Sequence, residues 1–236
     1  MILAIVQARM GSTRLPGKVL KEVNGKPLIE ILLNRLSEAK RIDKIVLATS
    51  INKENDDLSK AVGKLGFDVF RGSEEDVLDR YFKAASEYSP LGVVRVTGDC
   101  PLIDANLVDR VIRKFQETSV DYASNTMPRT YPDGLDLSVF SFETLEIAWM
   151  QAKTKYDREH VTPFMRHPKR FKISSVMNDV DYSKERWTID ELEDFKVLCN
   201  IFNHFKPDFL FSWLEVIELK SKHPEYFFAN KFLTEQ

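Results

Sequence analysis

The feature that most limits the fold is a strand–helix alternation repeated four times in the first half of the chain. Ile2 to Val6 is a short apolar run that reads as a buried strand. Pro27 to Lys40 reads as a helix, with Leu28, Ile31, Leu32, Leu36 and Ala39 on one face. A second strand spans Lys44 to Thr49, a second helix Glu54 to Leu65, and a third strand Phe67 to Phe70. Ser73 stands where it can cap the next helix, whose apolar stripe is Val77, Leu78, Tyr81, Phe82 and Ala85. Gly92 to Val96 is a fourth strand, and Asp104 can cap the helix after it. Such a pattern predicts an α/β fold: a mostly parallel sheet with helices on both faces, joined by right-handed crossovers. Ligands of these sheets sit beyond the carboxyl ends of the strands. The loops to inspect are therefore Gln7 to Lys18, Arg71 to Asp76 and Thr97 to Asp104.

The second half is less regular. Leu137 to Phe140 reads as a strand, and Ser141 can cap a helix running to about Lys153. A helix is expected near Arg158 to Arg166, a strand near Phe171 to Val176, and helices from Glu191 and from Trp213. With no repeat, low-complexity stretch or linker, residues 1–236 are expected to form a single domain with a carboxyl-terminal helical extension. The formal net charge of −2 excludes a global attraction to nucleic acid or to an anionic membrane. Any phosphate binding must come from a local site. Cys100 and Cys199 are far apart with no zinc-ligand spacing, which suits a reducing compartment. The apolar start is too short for a signal-peptide core, and no apolar run approaches the ~20 residues of a membrane span. A cytoplasmic protein is expected.

The stretch from Gln7 to Lys18 combines Gly11 and Gly17 with Ser12, Thr13, Arg9, Arg14 and Lys18. Glycines let backbone N–H groups approach an anion, arginine can clamp phosphate oxygens, and lysine supplies a point charge. It is not a Walker A loop, because five residues separate the glycines and Val19 follows Lys18. Nor is a G-x-G-x-x-G fingerprint present. Its position after the first strand favours an anion site over a solvated basic turn.

Ala8-Arg9-Met10-Gly11-Ser12-Thr13-Arg14-Leu15-Pro16-Gly17-Lys18 resembles the signature loop of cytidylyltransferases that activate acidic sugars, such as the CMP-KDO synthetases. The chain is similar above all to the subfamily of spore coat polysaccharide biosynthesis protein F. The resemblance covers nearly the whole chain. It includes Phe70-Arg71-Gly72-Ser73, Val96-Thr97-Gly98-Asp99-Cys100-Pro101, Asp133-Gly134-Leu135-Asp136, Arg158-Glu159-His160-Val161-Thr162-Pro163 and Arg186-Trp187-Thr188-Ile189-Asp190. It implies a Rossmann-like, glycosyltransferase-A-like nucleotidyltransferase fold, a nucleoside triphosphate and a sugar as substrates, Mg2+ as cofactor, and a homodimer. By the same resemblance Ala8, Arg9, Gly11, Ser12, Arg14, Lys18, Arg71 and Gly72 face the nucleotide. Pro101, Asp133, Gly134, Glu159, His160 and Arg186 face the sugar, with Arg186 on its acidic group. Arg14, Lys18 and Asp99 carry the chemistry, and Asp99 and Asp190 hold the metal.

As residue types alone, several of these positions also suit structural roles. Asp99 follows a strand in a Gly-Asp-Cys-Pro turn, where a metal ligand and a turn former are equally served. Asp190 with Glu193 fits a capping box for the next helix, and one carboxylate oxygen can cap while the other meets a cation. Arg71 can belong to a capping turn, and His160 to ordinary packing. Two other activities use similar parts. A sugar-1-phosphate nucleotidyltransferase, using GTP or another base, needs the same loop and carboxylates. A glycosyltransferase of related fold expects Asp-x-Asp after a central strand, whereas Asp179-Val180-Asp181 comes late in the chain.

Overall fold

Strand β1 (Ile2–Gln7) is buried on both sides. Leu3 and Ile5 enter one apolar layer while Ile2, Ala4 and Val6 enter the other. Such a strand needs cover on both faces. The computed structural model, which describes residues 1–234, provides it. After β1 come a short hairpin of β2 (Glu22–Val23) and β3 (Lys26–Pro27), then α1 (Leu28–Ser37), β4 (Lys44–Ser50) and α2 (Asp56–Lys64). They are followed by β5 (Asp68–Gly72), α3 (Val77–Ser86), β6 (Gly92–Thr97), α4 (Ala105–Thr118), β7 (Tyr122–Ser124) and β8 (Ser138–Ser141). The chain continues through α5 (Phe142–Gln151), α6 (Lys155–His160), β9 (Ile173–Ser175), α7 (Leu192–Phe205) and α8 (Trp213–Lys222).

The seven-stranded sheet has the order β5-β4-β1-β6-β8-β7-β9. β8 runs antiparallel to both its neighbours, and every other pairing is parallel. One apolar layer takes Ile31 of α1, Leu58 of α2, Val111 of α4, Leu198 of α7 and Val216 of α8. The other takes Leu78 and Tyr81 of α3 with Leu145 and Ala148 of α5. The carboxyl-terminal helices are tied in by Arg35 of α1. Its buried guanidinium donates to the carbonyls of Leu102, Ile103, Phe209 and Phe211, and burial lowers its pKa to about 10. Among the described residues no helix is long and apolar enough to cross a membrane.

The expected α/β architecture is present, with differences at element ends. Asp76, not Ser73, caps α3 by accepting from Asp79 N; the Ser73 hydroxyl accepts from Asp76 N one turn earlier. The helix expected over Arg158 to Arg166 begins at Lys155 and stops at His160, because Val161 takes φ 69° and Pro163 cannot donate to a continuing helix. The capping box of α7 is formed by Glu191 and Asp194, one residue later than Asp190 and Glu193. That shift frees both oxygens of Asp190 from capping.

The chain moves from β1 outward to β4 and β5, then crosses back to place β6 on the other side of β1. The loops leaving β1 and β6 therefore diverge and open a crevice at a topological switch point. Gln7 and Thr97 are its last register pair.

Candidate active site

The loop after β1 is closed by its own backbone. The Met10 carbonyl accepts from Ser12 N at 2.8 Å and Gly17 N at 3.0 Å, while Met10 N donates to Asn55 Oδ1 at 2.8 Å. Gly17 has φ 66°, which a side chain would strain. Leu15 and Val19 are buried on either side of it. They fix the start of the Lys18–Leu20 turn, so the Lys18 side chain lies inward and is only 12% exposed.

A second close approach sets the loop after β6. Gly98 N donates to the Gln7 carbonyl at 2.7 Å, and a Cβ on Gly98 would stand 2.7 Å from the Cβ of Ala8. Only a hydrogen fits there. The Asp99 carbonyl then accepts from Ile189 N at 2.9 Å and from the Thr188 hydroxyl at 3.1 Å. These two bonds staple a segment from near the end of the chain to the end of β6. They bring Asp190 beside Asp99.

Lys18 joins the three segments. Its Nζ lies 3.0 Å from Asp190 Oδ1 and 3.9 Å from Asp99 Oδ2, and donates to the Ile189 carbonyl at 2.6 Å. Arg14 reaches Asp190 at 3.1 Å and Glu191 at 3.5 Å. Burial pushes the Asp190 carboxyl up, but Lys18, Arg14 and Arg186 together hold it below the usual carboxylate range. The Thr97 hydroxyl donates to Asp99 Oδ1. Arg9 pairs with Glu74 in the turn before α3.

Behind Asp190 stands Asp194, whose side chain is fully buried. It accepts from Arg186 Nε at 3.0 Å and Nη2 at 2.9 Å, from Asn230 Nδ2 at 2.9 Å, and from the backbone N–H groups of Asp190 and Glu191 at 3.0 Å each. Arg186 also lies 3.4 Å from Asp133 and 3.4 Å from Asp190. Burial works against its charge, and its bonds to Asp194 more than restore it.

Ala8, Arg9, Gly11, Ser12, Arg14, Lys18, Asp99, His160 and Asp190 thus line one cavity of about 340 Å³, together with Gln7, Thr13, Arg95, Thr97 and Gly98. The other residues singled out from the sequence do not line it. Arg71 and Gly72 line a neighbouring depression with Asn52 and Glu74. There Arg71 donates to the Ser50 carbonyl at 3.0 Å, the Asn52 carbonyl at 2.9 Å and Asp56 at 2.7 Å. Pro101 is buried in the turn after Asp99, and Glu159 is exposed on α6. Asp133 and Gly134 pack against the Arg186 segment. Gly134 has φ 108°, and a Cβ there would lie 2.5 Å from Thr188 N. Arg129 clamps Asp133 at 3.0 Å and Asp136 at 2.7 and 2.5 Å.

Sequence reading did not single out Gln7, Arg95, Thr97 or Asp194 as site residues. Arg95 carried a signal, as the lone charge inside an otherwise apolar strand. Asp194 carried none, because its importance rests on a cap register displaced by one residue.

Among the described residues no group of three or more His, Cys, Asp and Glu can hold a metal. Asp99 and Asp190 converge on one ammonium instead. Two carboxylates beside anion-binding groups match what Mg2+ takes, which completes its shell with waters and phosphate oxygens. They do not match an all-protein zinc site. Arg9, Arg14 and Lys18 in the cleft rest on carboxylates. A polyphosphate could take those cations while a divalent ion takes the carboxylates.

The cytidylyltransferase family profile matches residues 3–228. The chain is 37% identical over 235 residues to the spore coat polysaccharide biosynthesis protein SpsF of Bacillus subtilis, covering 95% of each. A cytidylyltransferase structure from Leptospira borgpetersenii superposes with a TM-score of 0.92 at 34% identity, covering 96% of each chain. A CMP-2-keto-3-deoxy-manno-octonic acid synthetase complexed with CTP shares the fold at a TM-score of 0.67 and 15% identity, covering 86% of this chain and 99% of its own.

Proposed function

The chain belongs to the cytidylyltransferase family, and from that premise we propose that it transfers a cytidylyl group from CTP to an acidic sugar, releasing pyrophosphate, in the synthesis of a surface polysaccharide or glycan. One observation carries the reading. At the β1/β6 switch point the Lys18 ammonium lies within 4.0 Å of both Asp99 and Asp190, beside the glycine-and-arginine loop.

The reaction is an in-line displacement at the α-phosphorus. A sugar oxygen forms the new P–O bond, its proton passes to solvent or to a nearby acceptor, and the bond to the β-phosphate oxygen breaks. Catalysis of this kind is positioning and charge stabilisation. The backbone of Gly11 and Ser12 approaches the phosphates. Arg14 and Lys18 neutralise the tail, and Lys18, being nearly enclosed, does so where water screens least. Asp99 and Asp190 would hold Mg2+, whose charge would offset that of the phosphate oxygens. Asp194 holds the Asp190 backbone in place, and Arg9 and Arg71 border the nucleoside side. No covalent enzyme intermediate is required.

The spore coat relative and the fold shared with the CTP-bound synthetase support this substrate class. The test is pyrophosphate release in the presence of magnesium, with CTP, GTP, UTP and ATP each paired with 3-deoxy-manno-octulosonate, N-acetylneuraminate and sugar 1-phosphates. Release with CTP and an acidic sugar is expected. Release confined to another triphosphate and a sugar 1-phosphate would reassign the acceptor and the base.

A further inference from the structure

Three arginines line the cleft, and two of them rest on carboxylates: Arg9 on Glu74, and Arg14 on Asp190 and Glu191. Arg95 has none among the described residues. Its one hydrogen bond is a long contact from Nη2 to Gln7 Oε1, at 3.4 Å. Its Nε is buried with no partner at all. A guanidinium donor withdrawn from water and left unpaired is costly, and native structures rarely retain one without use. Arg80 also has an unpartnered Nε, but its side chain is enclosed, donates to the Ser73 carbonyl and does not line the cavity.

The sheet register sets where Arg95 stands. The loop after β1 is tied to the β4 side by Met10 N on Asn55 and to the β6 side by Lys18 beside Asp99 and Asp190. Arg95 stands on β6 between Ile5 of β1 and Ser138 of β8, and Ser138 pairs with Ser124 of β7. From Arg95 outward the ground is hydroxyl-rich. Ser138 Oγ and Tyr122 Oη share a hydrogen bond of 2.7 Å, and Arg166, which has no carboxylate partner among the described residues, donates to Tyr122 Oη at 3.1 Å. Arg186, the sequence's choice for the acidic group, is already saturated by Asp194, Asp133 and Asp190.

We propose that Arg95, oriented by Gln7, is an anion half-site distinct from the triphosphate grip, which takes the carboxylate or phosphate oxygens of the acceptor sugar. The assignment to an acceptor rests on the nucleotidyl-transfer reading; the anion half-site itself does not. An oxyanion in the cavity supplies an acceptor to a guanidinium whose one partner among the described residues is Gln7. It also adds bidentate geometry, which a lysine at this place could not match.

The test needs no turnover, so its failure and that of the transferase reading are separable. Crystals of the full chain are soaked in sodium selenate, whose selenium is located by anomalous scattering, with and without CTP in the cleft. Selenate is expected within hydrogen-bond distance of the Arg95 guanidinium in both soaks, and to be lost from that position in Arg95→Met. Arg95→Lys is expected to retain only weaker density. Pyruvate and methyl phosphate are then used as competitors, and the better displacer identifies the acceptor's group as carboxylate or phosphate. No selenate at Arg95, or selenate there that CTP expels, overturns the proposal. Arg95→Met, relieved of an unpaired donor, is expected to melt no lower than the wild type. A fall of several degrees would make Arg95 a strut of β6 and also overturn it.

Discussion

Replacing Asp194 with alanine removes a carboxylate that touches no solvent and accepts from five groups: two nitrogens of Arg186, Asn230, and the backbone N–H groups of Asp190 and Glu191. Breaking a buried ion pair by deleting one partner costs about 3–5 kcal/mol. Arg186 keeps Asp133 and Asp190 at 3.4 Å each, so its charge is not stranded and the lower end applies. The lost α7 cap adds about 1 kcal/mol. The expected total is about 3–4 kcal/mol, read as a lower urea midpoint with an unchanged slope. Trp187, fully buried beside Arg186, is a suitable fluorescence reporter. The freed guanidinium should also turn toward Asp190 and compete with Lys18, lowering kcat. Glu193→Ala is the control, because Glu193 was the capping partner that spacing alone suggested. Outside the observed box it should cost no more than about 0.5 kcal/mol. An Asp194→Ala loss below about 1 kcal/mol, or an equal loss in Glu193→Ala, would refute the reasoning.

Gly98→Ala forces a Cβ to 2.7 Å from that of Ala8 and should cost about 1–3 kcal/mol by overpacking, with reduced activity as the two strand-end loops part; thermal unfolding and pyrophosphate release measure both. Lys18→Ala should weaken CTP binding at least tenfold by calorimetry, as loss of a charged hydrogen-bond partner costs roughly 1.5–3 kcal/mol. Burial pushes the Asp136 carboxyl up to about 6 against the pull of Arg129. The folded state then keeps a proton that the unfolded chain releases near 3.8. The resulting stability is fully present below that pH and lost as pH rises through 6, by at most about 3 kcal/mol. Asp136→Asn should abolish that part of the pH dependence of melting; an unchanged profile would exclude Asp136 as its source.

The sheet was legible where side chains alternate or run apolar for long enough. β1, β4 and β6 were each recognised to within a residue because burial on both faces leaves an apolar run, and the half-buried edge strand β5 to within two. β7 was not, since Tyr122-Ala123-Ser124 is too short to show a period. The hairpin of β2 and β3 was also missed, although Asn24 and Gly25 both take positive φ, as Asn-Gly turns of the mirror-image type require. Its strands of two residues leave no flanking alternation to notice.

The loop after β1 was legible as part of the cleft because its glycines and cations are close together in sequence. The meeting of Asp99 with Asp190 was expected through the family resemblance and not from the residues themselves, since it depends on the Asp99 carbonyl accepting from Ile189 N across the fold. Arg158 shows the reverse. It stands in a motif attributed to the sugar site, yet it binds Asp76 at 2.7 Å and the Trp149 carbonyl at 2.6 Å, fastening α6 to the cap of α3. Arg186, in another such motif, is likewise held by Asp194, a residue outside all of the family motifs.

The most direct measurement is a crystal structure of the full chain grown with CTP and magnesium. Triphosphate oxygens should lie on Arg14 and Lys18, with the metal touching Asp99 and Asp190 and the Lys18–Asp190 contact lengthened beyond 3.0 Å. Nucleotide bound away from the β1/β6 crevice, or metal on neither aspartate, would contradict the account.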